Sequence, residues 1–233
     1  MIYDILSRME KLSQNKPLYQ TKEDFVYDIL REAILNCEIE PGEKLVIDQL
    51  SEELEISTIP IRAAIQRLGM EGLVIIKPHS PAQVSPITMY MIQETFALLT
   101  SLELIAYDQI AQEADPHTIK KLEELVNAMD ETLAGGDSRS WARININFHR
   151  AIAEASHMPL LIEFTNRTLD QWRRLSQHYF KEVASIRIQI AQQEHREIIN
   201  LIKAKNLPEL KILAKTHNLE AASAYQQMID DLQ

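Results

Sequence analysis

The chain has 233 residues, 45% of them apolar, with five glycines, one cysteine and a formal net charge of -10. That length allows one large domain or two smaller ones, and the charge argues against a coat protein that binds nucleic acid regardless of sequence, although a local basic face would still serve a sequence-specific reader. No apolar run approaches the ~18 residues needed to span a bilayer, the N-terminal MIYDILSRMEKLSQNK lacks the apolar core of a signal peptide, and the single Cys37 excludes an intramolecular disulfide framework, so a reducing cytoplasm is the simplest setting.

Scarce glycine and abundant Leu, Ile, Ala and Glu favour helix over sheet. Residues 1–16 read as an extension in which Ile2, Ile5, Leu6, Met9 and Leu12 fall near helical period, an arm suited to docking or dimer packing, broken at Lys16-Pro17. Residues 21–36 predict an amphipathic helix with Phe25, Val26, Ile29, Leu30, Ala33 and Ile34 inward. Pro41-Gly42 marks a turn. A second helix follows, with Asp48 as its N-cap and Leu50 and Leu54 inward, and Ser57 caps a third, in which Pro60 fits the first turn. The period then changes: LVIIK and AQVSPI read as two strands joined by the turn PHSP. Three helices and a terminal hairpin make a winged helix-turn-helix plan over residues 17–86.

Beyond Pro86 the pattern is helical, with helices expected at 88–113, 116–134, 138–156, 159–180, 184–205 and 207–231, so residues 87–233 form an all-α bundle holding Phe148, Phe164 and Trp172 inside. The predicted fold class is therefore mainly α, a winged helix-turn-helix followed by a helical bundle.

A recognition helix must offer side chains to base edges and phosphates. In STIPIRAAIQRLGMEG, Ser57 and Thr58 sit at the helix start, Arg62 lies one turn along, and Gln66 and Arg67 follow, while Ile61, Ile65 and Leu68 face the core. Arg62 is the strongest single candidate for base or phosphate contact. Lys44 and Lys77 are placed to reach phosphate, and His79 at the wing tip to approach the minor groove. Residues 1–86 nevertheless carry nine Lys and Arg against fourteen Asp and Glu, so it is the plan of the elements, and not the charge, that points to double-stranded DNA.

The segment ILREAILNCEIEPGEKL…LSEELEISTIPIRAAIQRLGMEGLVIIKP resembles the GntR superfamily of bacterial transcription regulators. The matching features are the turn Pro41-Gly42-Glu43-x-Leu45, Ser57-x-x-Pro60-x-Arg62, Leu68 and Glu71-Gly72-Leu73-Val74. The all-α half looks like the FCD (FadR C-terminal) ligand-binding domain, and together the resemblance covers roughly residues 17–230. It implies a homodimeric regulator, a repressor in the simplest reading, whose operator binding responds to a small organic acid or related metabolite. The chain departs from the family pattern at Thr58, where Arg is usual, at Ile59, where Thr is usual, at Ala63, where Glu is usual, at Pro81 in the wing and at Cys37, both usually Gly. Losing an arginine there removes a potential bidentate guanine contact of roughly 1–3 kcal/mol, so the operator is expected to differ from the common one.

Of the seven histidines, His149, His195 and His217 fall in separate helices of the bundle. Imidazole is the commonest transition-metal ligand near neutral pH, and three converging would leave positions open for water or ligand. FCD domains often bind a divalent metal through an Asp and three His, and the resemblance carries these roles to Asn145, His149, His195 and His217. Asn145 replaces the anionic ligand with a neutral amide, which implies weaker binding and a leaning to Zn or Ni over Mn. A family arginine that lines the effector pocket falls at Leu99, four residues before Glu103, leaving Arg150 and Arg174, among Arg143, Arg173 and Arg187, to serve instead. His157 reads as a helix C-terminal residue.

No His-Glu-x-x-His pattern and no phosphate-binding glycine loop occurs, and Cys37 has no His nearby in sequence, so no enzymatic activity is expected. The alternative is a helical metal-binding or partner-binding protein that has lost sequence-specific DNA binding. For the regulator, helix 88–113, next to the linker, is the expected transmitter of an effector signal.

Overall fold

The computed structural model describes residues 21–113 and 115–231, so the arm expected at 2–12 lies outside the described residues. The chain divides between Ile87 and Thr88 into two compact units, each with its own apolar core.

The first unit runs α1 (Lys22–Leu35), β1 (Lys44–Leu45), α2 (Ile47–Leu54), α3 (Thr58–Met70), β2 (Val74–Ile75) and β3 (Ala82–Val84). A capping box starts α1: the Asp24 amide donates to Thr21 Oγ1 at 3.1 Å, and the Thr21 amide donates back to the Asp24 carboxylate at 3.3 Å. Of its buried residues, Val26, Leu30, Ala33 and Ile34 share one core with Ile61, Ile65 and Leu68 of α3. Each large aliphatic side chain so buried contributes about 1.5–3 kcal/mol. After α1, Cys37 takes a left-handed φ of 54°, so that its own amide donates to Ile34 O and that of Glu38 to Ala33 O.

Two local expectations change. Asp48 does not cap α2. Pairing of β1 holds the chain extended through Val46, which is the N-cap residue, and Asp48 falls inside the first turn. Ser57 does occupy the N-cap of α3, but its side chain makes no cap hydrogen bond. The hairpin β2–β3 gains a third strand, giving the antiparallel order β1-β3-β2 with Lys44 opposite Gln83 and Leu45 opposite Ala82. A Cβ on Gly69 would come 2.9 Å from Ile76 Cδ1, so glycine lets α3 lie close to the wing.

The second unit is all helical: α4 (Met89–Glu113), α5 (Pro116–Ala134), α6 (Ser138–Ala155), α7 (Pro159–Lys203) and α8 (Leu207–Asp231). Asp115 caps α5 by accepting from the Thr118 amide at 2.8 Å, and Asp137 caps α6 by accepting from the Ser140 amide at 3.0 Å. The helices expected at 159–180 and 184–205 run together as α7 across a kink at Tyr179 (φ -114°, ψ 20°), close to the break expected between them. No glycine or proline lies between residues 160 and 207 to stop the helix. Phe148 and Trp172 are buried as expected, but Phe164 is 51% exposed. The buried row of early α7 is Leu161, Thr165, Thr168, Leu169 and Trp172, and Phe164 lies about 80° around the helix from its centre. No helix among the described residues is long and apolar enough to cross a membrane.

Candidate metal centre and nucleic-acid interface

Inside the helical unit, α6, α7 and α8 each bring one imidazole to a single point. His149, His195 and His217 are all buried, and each offers a ring nitrogen such that the three lie within 4.8 Å of one another. The ring centroids are 5.7 Å apart for His149–His195, 5.4 Å for His149–His217 and 4.9 Å for His195–His217.

Two of the rings are oriented by carboxylates. His149 Nδ1 lies 2.5 Å from Glu103 Oε1 of α4, and His217 Nδ1 lies 2.7 Å from Glu194 Oε2 of α7. With Nδ1 donating its proton to a carboxylate, the lone pair stands on Nε2. Glu103 is held further by Asn218 Nδ2 at 2.8 Å. Burial would raise the Glu103 carboxyl, but His149 and the Asn218 amide beside it hold it below the usual carboxylate range. Glu194 is likewise lowered against the pull of burial, by His217 and by Arg187, which grips it with Nη1 at 3.1 Å and Nη2 at 2.5 Å.

The inner face of the cluster is left with polar atoms that have no partner among the described residues: His149 Nε2, both ring nitrogens of His195 and Asn145 Oδ1. Burial pushes His195 well below the ordinary histidine value, with the neighbouring His217 and His149 adding to it, and pushes His217 down as well, despite Glu194. His195 and His217 therefore favour the neutral form that ligates metal. A buried unpartnered nitrogen costs about 1–3 kcal/mol, and a divalent cation would satisfy several such atoms at once. The donor set, three imidazoles and one amide oxygen, fits a borderline transition ion.

A cavity of about 50 Å³ opens beside the cluster, lined wholly by α6, α7 and α8. Trp141, Ile146, Trp172, Ile188 and Tyr225 supply its apolar wall, and Asn145, Ser176, Arg187 and His217 its polar positions. Leu99, Arg150 and Arg174 do not line it. Leu99 is fully buried on α4, which contributes nothing to the lining among the described residues. Arg150 donates through Nε to Asn166 and through Nη1 to Asn147, each at 2.9 Å. Arg174 is fully buried and donates to Gln171 Oε1 at 2.9 Å, and two residues' separation from Trp172 turns it about 200° around α7 from the cavity. Arg187 alone of the five arginines weighed from the sequence reaches the lining.

On the first unit, the core side of α3 is Ile61, Ala64, Ile65 and Leu68, and Ser57, Ile59, Arg62 and Gln66 are exposed on the other side, with Thr58 half-buried. Lys44, Lys77 and His79 are exposed on and beside the sheet, His79 with φ 60° at the turn between β2 and β3. Arg67 is turned away from this surface. Its Nη1 lies 3.1 Å from Asp24 Oδ1, and its guanidinium stands 3.6 Å over the Tyr27 ring. The chosen side chains therefore do not share one role: Arg67 ties α3 to α1.

Against the models of known families, residues 22–84 match the bacterial regulatory proteins of the gntR family and residues 94–220 match the FCD domain. The chain is a GntR-family transcriptional regulator with an FCD domain. Its relatives include an uncharacterised HTH-type transcriptional regulator, YdhC, of Bacillus subtilis, 26% identical over 90% of this chain and 89% of that one. A probable D-xylose utilization operon transcriptional repressor of Paenarthrobacter nicotinovorans is also 26% identical, over 74% of each. The fold is that of Escherichia coli McbR/YncC, with a TM-score of 0.74 at 20% identity, covering 90% of this chain and 99% of that one. In this GntR-family regulator the histidine cluster lies within the FCD domain and the exposed face of α3 within the gntR-type reader. The relatives are transcriptional regulators rather than enzymes.

The carboxylates and Arg187 of the cluster were not singled out from sequence. Glu194 and Arg187 are seven residues apart, hence nearly in line on one helix face, and that spacing was the available signal. Nothing local marks Glu103 as a partner of Asn218, 115 residues away.

Proposed function

We propose that this regulator represses transcription as a cytoplasmic homodimer, binding a DNA operator through α3 and the wing, and that a small metabolite acting at the FCD domain modulates that binding. The reader residues are Ser57, Thr58, Arg62 and Gln66 on α3, with Lys44, Lys77 and His79 on phosphate and groove. Two copies would place two α3 helices in major grooves about one helical turn or a multiple apart. The similarity to a relative named as a repressor supports the sign of regulation.

In the FCD domain, Asn145, His149, His195 and His217 would hold a divalent transition ion, zinc or nickel in first place. A bound ion would supply a Lewis-acidic anchor for an oxygen of the effector. The observation that carries this reading is the set of buried inner-face nitrogens without partners, framed by two carboxylates that fix the outer nitrogens. The cavity beside it offers a mostly apolar wall with Arg187, Ser176 and Asn145 as polar contacts, which suits a small organic acid with an apolar body. Arg187 is already shared with Glu194, so an acid would compete for it or lie on the ion.

The signal has a physical carrier. Glu103 grips His149 from α4, and α4 begins at Met89, two residues after the reader unit ends at Ile87. An effector changes operator affinity only by binding the DNA-competent and DNA-incompetent arrangements with different affinity. The regulator reading is tested by nuclease protection of the region upstream of the protein's own gene, with competitor DNA present. A discrete protected site is expected, and no protection of any upstream sequence at low salt would leave the partner-binding alternative standing instead.

A further inference from the structure

Ile59 is 78% exposed in the first turn of α3. At about 100° per residue, Ile59, Gln66 and Met70 stand within about 20° of one line along the helix, with Arg62 and Ala63 flanking it. The buried side chains Ile61, Ala64, Ile65 and Leu68 occupy the opposite face. Ile59 is thus the outermost apolar group at the N-terminal end of the recognition helix, the end that meets base edges in helix-turn-helix readers.

An exposed isoleucine is by itself ordinary. A patch that docks a protein would be contiguous, and Ile59 is not in one: its surface neighbours on the helix are Ser57, Thr58, Arg62 and Ala63. The other exposed apolar residue of α3, Met70, lies eleven residues on, about 16 Å along the axis. The helix carries no acidic side chain between residues 58 and 70 that would repel phosphate.

In the major groove, the one apolar group on a base edge is the 5-methyl of thymine. We propose that Ile59 is a specificity-determining residue that packs on a thymine 5-methyl group in each operator half-site, next to the base pair read by Arg62 or Gln66. Water is excluded from both apolar groups only when thymine is present. Cytosine and uracil carry only a hydrogen at that position, and adenine presents polar N7 and N6 groups. This inference rests on the operator-binding reading.

The test uses the full-length protein. A bound sequence is first selected from a random DNA pool, and each thymine of it is then replaced singly by deoxyuridine, which keeps the pairing and removes only the methyl. One thymine per half-site is expected to weaken binding about fourfold on replacement, the value of one buried methyl group. Ile59→Ala should bind the two DNAs equally while keeping wild-type sensitivity at other positions, and Ile59→Val should retain part of the discrimination. A selected sequence that is indifferent to deoxyuridine at every thymine overturns the role of Ile59 and leaves the regulator reading intact. So does an Ile59→Ala variant as sensitive as wild type. Failure to select any sequence from the pool overturns both, and would leave the exposed Ile59 to a protein partner.

Discussion

Zinc added to the metal-free protein at 100 times its dissociation constant is expected to stabilise the fold by about 2.7 kcal/mol, a rise of roughly 5–10 °C in the unfolding midpoint for a chain of this size. The same titration of His195→Leu should give no shift. The reason lies in what surrounds His195. It is fully buried between Phe148, at 4.6 Å between ring centroids, and Trp141, at 6.1 Å, and neither of its nitrogens has a partner among the described residues. A leucine removes a metal ligand and also removes two stranded polar atoms. The variant should therefore be at least as stable as wild type without metal, and less stable than wild type with it. Replacing a buried unpartnered polar group by an apolar one of similar size is neutral or stabilising. A histidine that holds no metal would leave the same difference between variant and wild type with and without zinc. Scanning calorimetry with and without zinc separates the two. Asn145→Asp should act in the other sense, tightening zinc binding by on the order of tenfold, because an anion replaces the amide oxygen that now faces the cluster unpartnered.

Arg62→Ala is expected to weaken operator binding by roughly 5- to 150-fold per half-site, from the ~1–3 kcal/mol of a bidentate base contact, while leaving thermal stability unchanged because Arg62 is exposed. Arg67→Ala should show the reverse pattern. Its guanidinium bonds Asp24 and covers Tyr27, so its loss loosens α1 against α3 and lowers stability, with little effect on which bases are preferred. Tyr27 itself is tied into the same corner: burial and the hydrogen bond to Glu71 push its hydroxyl up to about 12. Fluorescence anisotropy on the selected operator, paired with thermal melts, reads both variants. If Arg62→Lys keeps full affinity and the same base preferences, Arg62 touches phosphate only, since lysine retains the charge but not the planar fork.

Much of this arrangement was legible before the fold was known, and what was missed has identifiable causes. The helices α1, α5 and α6, each of which begins at a side-chain cap, Thr21, Asp115 or Asp137, were placed within a residue or two by their apolar period and the breaks between them. The strand Lys44–Leu45 was not, since two residues show no alternation, and its partner is at residues 82–83. The break expected after residue 180 corresponds to the kink at Tyr179 inside α7, where no glycine or proline ends the helix outright. The histidines of the site came from the family resemblance. Their convergence is a tertiary fact, set by the packing of α6, α7 and α8, and so are the Glu103–His149 and Glu194–His217 contacts that orient two of the rings. The arginine of the cavity, Arg187, was weighed in sequence but passed over for Arg150 and Arg174. Only the direction each takes from its helix separates Arg187 from Arg150 and Arg174.

The reading of the FCD domain as a metal centre stands or falls on stoichiometry. Elemental analysis of the purified full-length protein, after exchange against zinc and removal of loose ion, should find about one ion per chain in wild type and close to none in His149→Ala and His195→Ala. Equal metal in wild type and both variants would contradict it.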